Sequence, residues 1–310
     1  VRDPKALEAA ALEALVNALS FTQDELYQSH VQYWQNMWDH SLALDSPSAG
    51  PAVKASQYAL FSAVRADWPY STSPGGLSTD GYNGHAFWDM ETWDAPNLML
   101  LHPDIATGST FAYRFNRLKG AMVNARETLS IEAGAAFPWE SAFTGEDVCP
   151  APLFAHTEIH ITADVVNAVR MYWQLFRNTT FLRQAWPVLN ETSQFWAHRT
   201  TALTQPDGEE IHLKNVTGPD EYHLGDDSGF TNFAVQLAVG FTLEAAAILE
   251  IPVSKIPNAA AMKRIATSMY IPYDAKENYH PEYGQYNGSL VKQADTILLN
   301  YPLGMQMKES

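Results

Sequence analysis

ITADVVNAVRMYWQLF, residues 161–176, places Val165, Val166, Val169, Tyr172, Trp173 and Phe176 at i, i+1, i+4, i+7, i+8 and i+11. That spacing lays a wide apolar stripe along one side of a helix. The short turn RNTT follows, then TFLRQAWPVLNETSQFWAHRT, so the two segments predict a helical hairpin. The pattern stays helical in both directions. DPKALEAAALEALVNAL opens the chain with Asp3 as N-cap and Pro4 in the first turn. TQDELYQSHVQYWQNMWDHSLAL, SAGPAVKASQYALFSAVRA, DMETWDAPNLMLL and IATGSTFAYRFNRLKGAMVNARETL read the same way, as do the stretches Thr231 to Leu249 and Val253 to Tyr270. The alternation in EEIHLKNV predicts a short hairpin arm. No repeat of 20–50 residues recurs. What recurs is architecture: helix pairs separated by long loops rich in Trp, Asp, Glu, His and Gly. This predicts an all-α fold, a helical toroid with one ring of helices inside another and functional loops at its mouth.

Composition narrows the function. The 310 residues are 46% apolar, enough for a sizeable core. Acidic residues number 35 against 19 Lys and Arg, a net charge of −16, which argues against nucleic acid and anionic membranes as partners. The apolar run from Phe230 to Leu243 is too short to span a bilayer and fits a buried helix. The lone Cys149 cannot form an internal disulfide and is expected to be buried and structural. The sequence opens with an amphipathic helix rather than a signal peptide. Four sequons, at Asn178, Asn190, Asn215 and Asn287, hint at secretory traffic, with Asn178 and Asn190 placed at helix edges.

Four loops carry chemistry. GHAFWDMETW sets Trp88 beside Asp89, an indole platform next to a carboxylate that can accept sugar hydroxyls. Asp89 capping a helix, with Glu91 complementing its dipole, fits the pattern equally. FPWESAFTGED repeats the pairing in Trp139 and Glu140, and a surface loop with one buried Trp is the alternative. VTGPDEYHLG holds Asp220 and Glu221 between a Gly-Pro turn and the hydrogen-bonding rings of Tyr222 and His223. A general acid needs a carboxyl that keeps its proton, and burial or a neighbouring negative charge supplies that. A capping turn with solvated acids fits the same residues. SLVKQADTILLNYP offers Lys292 and Gln293 as donors to hydroxyls, or as an exposed helix turn. No Walker loop, GxGxxG or HExxH is present, so no cofactor is expected. His156 and His160 stand at i, i+4 without a third ligand, so no metal is expected either.

In order, GHAFWDMETW, FPWES, EIHITADV, GPDEYH, TN and VKQAD resemble glycoside hydrolase family 65 over almost the whole chain. The resemblance implies an (α/α)6 barrel, incomplete in this chain, and inverting attack on an α-glucosidic bond. It makes Glu221 the general acid, with Asp220, Tyr222 and His223 in support. Trp88, Asp89, Lys292 and Gln293 then hold glucose, and Trp139 and Glu140 line the same pocket. Residues 1–45 become a helical linker and 46–310 the N-terminal part of the barrel. The water-activating carboxylate is expected C-terminal to KQAD, in a remainder of the polypeptide that closes the ring, with a β-sandwich piece ahead of the linker. Without that remainder, Glu140, Glu158 and Asp295 are the carboxylates left for the role, and NFAVQLAVGFTLEAAAIL is expected to leave an apolar face bare. The continuation TILLNYPL, the sequons and the acidic balance lean toward an extracellular or vacuolar acid trehalase acting on trehalose. The alternatives are a disaccharide phosphorylase, a kojibiose-type or glucosyl-hydroxylysine glucosidase, and a non-catalytic sugar binder.

Overall fold

Pro4, one residue after Asp3, starts the first helix as its fixed φ allows. In a computed structural model, which describes residues 3–77, 79–206 and 208–306, α1 runs Pro4–Leu19 and the Asp3 carboxylate accepts from the Lys5 amide at 3.0 Å. α1 buries none of its residues, and Leu7, Leu12, Leu15, Val16 and Leu19 stay exposed. Thr22 and Glu25 close a capping box on α2, Gln23–Asp39. α3, Ala49–Ala63, follows, and Trp34 stacks on Tyr58 with ring centroids 4.8 Å apart. Contacts divide the chain into two compact units, Val1–Phe61 and Ser62–Ser310. The sequence-based division at residues 45/46 falls inside the first.

The second unit holds the remaining helices. These are α4, Ala95–Leu101; α5, Pro103–Ala106; α6, Ala112–Asn116; α7, Leu118–Glu127; and α8, Pro152–Thr157. α9, Ile161–Phe176, α10, Thr179–Arg199, α11, Gly229–Ile248, and α12, Ala259–Ser268, complete them. α9 goes beyond its predicted stripe: all nine residues from Ile161 to Val169 are buried, as an inner helix requires. Phe176 is the exception to the stripe and is exposed, because α9 ends there and Arg177 turns left-handed at φ 49°. The Asn178 side chain then accepts from Phe181 N at 3.1 Å and starts α10. α11 is long and apolar enough to cross a membrane by length and composition, yet it packs against α9, α10 and α12. Ala234, Val235, Ala238, Val239 and Phe241 are buried, whereas Phe233, Leu237, Leu243 and Ile248 are half-buried, so the expected apolar face is covered in part. Each large apolar side chain buried in this way contributes roughly 1.5–3 kcal/mol.

Several elements differ from the sequence reading. Residues 89–101 do not form one α-helix; Met90–Asp94 is a π turn leading into α4. Pro96 lacks the N–H that an α-helix would donate to Thr92, and the wider turn accommodates it. The helix expected from Ile105 to Leu129 is broken by a second π turn, Thr107–Phe111, and by Arg117. Gly108 sits in that turn because a Cβ there would lie 1.9 Å from the Ala66 carbonyl oxygen. α12 starts at Ala259 instead of Val253, behind Pro257 and a left-handed Asn258. Asn190 lies within α10, half-buried, with its amide on Glu191 at 3.0 Å, not at a helix edge. Asn178, Asn215 and Asn287 are exposed. Cys149 is half-buried rather than buried. The expected arm is β2, Gly208–His212, and its partner is β1, Thr201–Gln205, which the sequence did not announce. A second ladder, β3, Val216–Thr217, with β4, Leu224–Gly225, clamps both ends of the GPDEYH loop.

Candidate active site

The β3–β4 ladder fixes the base of residues 218–223, and Gly218 fixes its entry. A Cβ at Gly218 would meet Asp295 Oδ2 at 2.2 Å and Ser228 Oγ at 2.7 Å, so only glycine lets the loop pass. Asp220 is buried and both of its oxygens are used. Oδ1 accepts from the Lys292 amide at 2.6 Å, and Oδ2 bonds His223 Nδ1. His223 Nε2 in turn meets Ser289 Oγ at 3.0 Å. Gln293 donates through Nε2 to the Pro219 carbonyl. The two loops are therefore stitched together, and Glu221 emerges between them with Lys292 Nζ 2.7 Å from Oε2. The hydrogen bond to Glu221 holds the Lys292 ammonium's pKa above its ordinary value and outweighs partial burial, which lowers it.

One cavity of about 690 Å³ gathers the sequence-predicted residues Trp88, Asp89, Trp139, Glu140, Glu221, Lys292 and Gln293. That volume suits a small ligand. Asp89 stands at the helix start, but its side chain makes no capping bond. Burial pushes its carboxyl up from the ordinary range. Glu140 is buried and its Oε1 lies 2.7 Å from His85 Nδ1, a tie made possible by the turn at Tyr82, Asn83 and Gly84, all with positive φ. Trp88 and Trp139 each pack one side on a core cluster of Ala121, Ala135, Phe137, Ile161, Val165 and Val188. Tyr82, Phe87, Trp93, Phe154 and Leu298 also line the cavity, and the sequence reading did not single them out. The aromatic density of these loops was the available signal.

Not every predicted residue reaches the cavity. Tyr222 is 62% exposed on the outer side of the turn, and Asp220 and His223 stand behind Glu221. Of the three carboxylates weighed for activating water, Glu140 lines the cavity, whereas Glu158 and Asp295 are buried outside it. His156 and His160 do not form a helical pair. α8 ends at Thr157, His156 is exposed on Pro152 O, and His160 is buried against Glu158 and Asp164. Among the described residues no cluster of His, Cys, Asp and Glu has the grouping of a metal site.

Sequence reading also missed a buried scaffold beneath the pocket. Arg114 forks onto Glu91, Nε to Oε1 at 2.7 Å and Nη2 to Oε2 at 2.9 Å, with both side chains 2% exposed. Glu91 thus pairs with a cation instead of decorating a helix end. Asp94, accepting from Thr72 at 2.6 Å, is pushed up to about 7 by burial, and burial takes Glu158 to about 7 as well. Both carboxyls hold protons more tightly in the folded chain than at their ordinary values of 3.8 and 4.5. Their stabilisation is complete below those values and is lost as pH rises through 7. The urea midpoint is therefore expected to be higher at about pH 5 than at about pH 8, and a midpoint rising between those values would contradict it.

Comparison with known proteins fits this geometry. Residues 56–289 match the profile described as the glycosyl hydrolase family 65 central catalytic domain. A protein-glucosylgalactosylhydroxylysine glucosidase of Dictyostelium discoideum is 39% identical over 295 residues, covering 92% of this chain and 40% of the relative. A kojibiose hydrolase of Flavobacterium johnsoniae is 33% identical over 287 residues, covering 91% and 40%. The chain thus spans about two-fifths of the length of these curated relatives. A solved structure, a putative kojibiose phosphorylase from human microbiome, superposes with TM-score 0.78 at 23% identity over 91% of this chain and 43% of that one. The helical architecture is that of an (α/α)6 barrel.

Proposed function

Because the chain belongs to glycosyl hydrolase family 65, we propose that its cavity holds the glucose unit of an α-glucoside and that Glu221 protonates the departing oxygen. The observation carrying this reading is the convergence of three loops, at Trp88–Asp89, Trp139–Glu140 and Lys292–Gln293, around Glu221 in one cavity. The indole of Trp88 offers an apolar face to the C–H side of the sugar ring. Asp89, whose side chain makes no capping bond, accepts from hydroxyls. Lys292 has three N–H donors and spends one on Glu221, so two remain for the sugar. Gln293 keeps one amide hydrogen and its oxygen free after bonding Pro219. Asp220 and His223 orient Glu221 through the stitched loops rather than touching the sugar. Inverting hydrolysis further needs a carboxylate ~6.5–9.5 Å from the acid to activate water.

The relatives favour hydrolysis of a glucosylgalactosylhydroxylysine- or kojibiose-type substrate, and this replaces trehalose as the expected sugar. Turnover of kojibiose with and without inorganic phosphate tests the reading. Free glucose alone, at a rate independent of phosphate, is expected. Phosphate-dependent release of glucose 1-phosphate would make the protein a phosphorylase, and no turnover together with no sugar binding would remove the reading altogether.

A further inference from the structure

Trp88 does not rest on hydrocarbon alone. Its indole meets the His160 ring edge to face, with centroids 5.4 Å apart and planes at 87°. Phe230 closes the group, 5.2 Å from His160 and 6.0 Å from Trp88. His160 is fully buried and does not line the cavity. Its Nδ1 lies 2.6 Å from Asp164 Oδ2 and its Nε2 3.4 Å from Glu158 Oε1. With carboxyl oxygens at both nitrogens, both edges of the imidazole are engaged. Burial by itself would lower the ring's proton affinity, but the Asp164 carboxylate outweighs it and raises the pKa to about 10.

Packing does not account for this cluster. Taking an imidazole and two carboxyl groups out of water is costly, and apolar side chains would fill the same space. What the cluster adds is direction. An imidazole held at both nitrogens cannot rotate, and an indole lying edge to face on it cannot tilt without breaking that contact. Trp88 also lines the cavity, which His160 does not reach.

We propose that His160 is the positioning residue of the sugar platform: clamped between Asp164 and Glu158, it fixes the plane of Trp88 on which the glucosyl ring stacks. This rests on the reading of the cavity as a glucose site. A fixed platform binds substrate and transition state alike, so its loss raises KM and spares kcat. A merely structural role would instead lower the folded fraction, reducing kcat at unchanged KM.

The test uses the full chain, glucose as the binding probe and kojibiose as substrate. His160→Gln is expected to raise the glucose Kd and the KM by about tenfold, with kcat kept within about threefold. Should that variant not fold, Asp164→Asn keeps a polar partner at Nδ1 but removes the charge that holds the ring, and a rise of about threefold in both constants is expected. Unchanged Kd and KM in a folded variant, or a fall in kcat at constant KM, would overturn the inference. If the unsubstituted protein binds no glucose, the functional reading fails first and takes the inference with it.

Discussion

Glu221→Gln lowers kcat on the α-glucoside by about 10²–10⁴-fold while glucose still binds. Glutamine keeps the size of the side chain and a hydrogen bond to Lys292, which stands 2.7 Å from the carboxylate, but it has no proton to give. The loss should therefore fall on kcat, with the glucose Kd changed far less. The stitched loops make this separation possible. Asp220, His223, Ser289 and the Lys292 amide hold the loop without help from the Glu221 carboxylate. Kinetics on the variant beside a glucose titration check it. A variant with more than about a tenth of the original kcat would mean that another group protonates the leaving oxygen.

Glu91→Ala is expected to destabilise the protein by about 3–5 kcal/mol, because it strands a buried guanidinium. Arg114 is 1% exposed and has few other acceptors: the Phe87 carbonyl at 3.3 Å and Ser141 Oγ at 3.5 Å. Burial would depress its pKa, and Glu91 overcomes this, keeping it charged. Since Phe87 and Trp88 line the cavity on the same segment, sugar binding should weaken along with stability. Denaturant unfolding measures the first effect. A loss below about 1 kcal/mol would show that water or a shifted side chain satisfies Arg114. Replacing both partners with apolar residues is expected to cost less than Glu91→Ala alone.

The contrast between Glu221 and Glu91 shows what a sequence can reveal about this site. Trp88–Asp89, Trp139–Glu140 and Lys292–Gln293 were legible because each pair is adjacent in sequence and lies in a loop between helices. Glu91 was read as a helix-end charge because its partner, Arg114, stands 23 residues away in another helix. His160 was read with His156 by spacing alone, and the break between α8 and α9 sends the two rings to different surroundings. The hairpin of α9 and α10 was plain from periodicity and from the turn at Arg177 and Asn178. The π turn at Met90–Asp94 was not, although Pro96 was its local cause. Gly218 looked like turn chemistry. Its cause lies in Asp295 and Ser228, which no local pattern connects to it.

A structure of the protein with glucose bound tests the central claim most directly. The account places the sugar ring on the Trp88 face in the cavity of about 690 Å³, with Asp89, Lys292 and Gln293 within hydrogen-bond reach of its hydroxyls and C1 turned toward Glu221. Glucose seated elsewhere on the protein, or in the cavity with C1 turned away from Glu221, would contradict it.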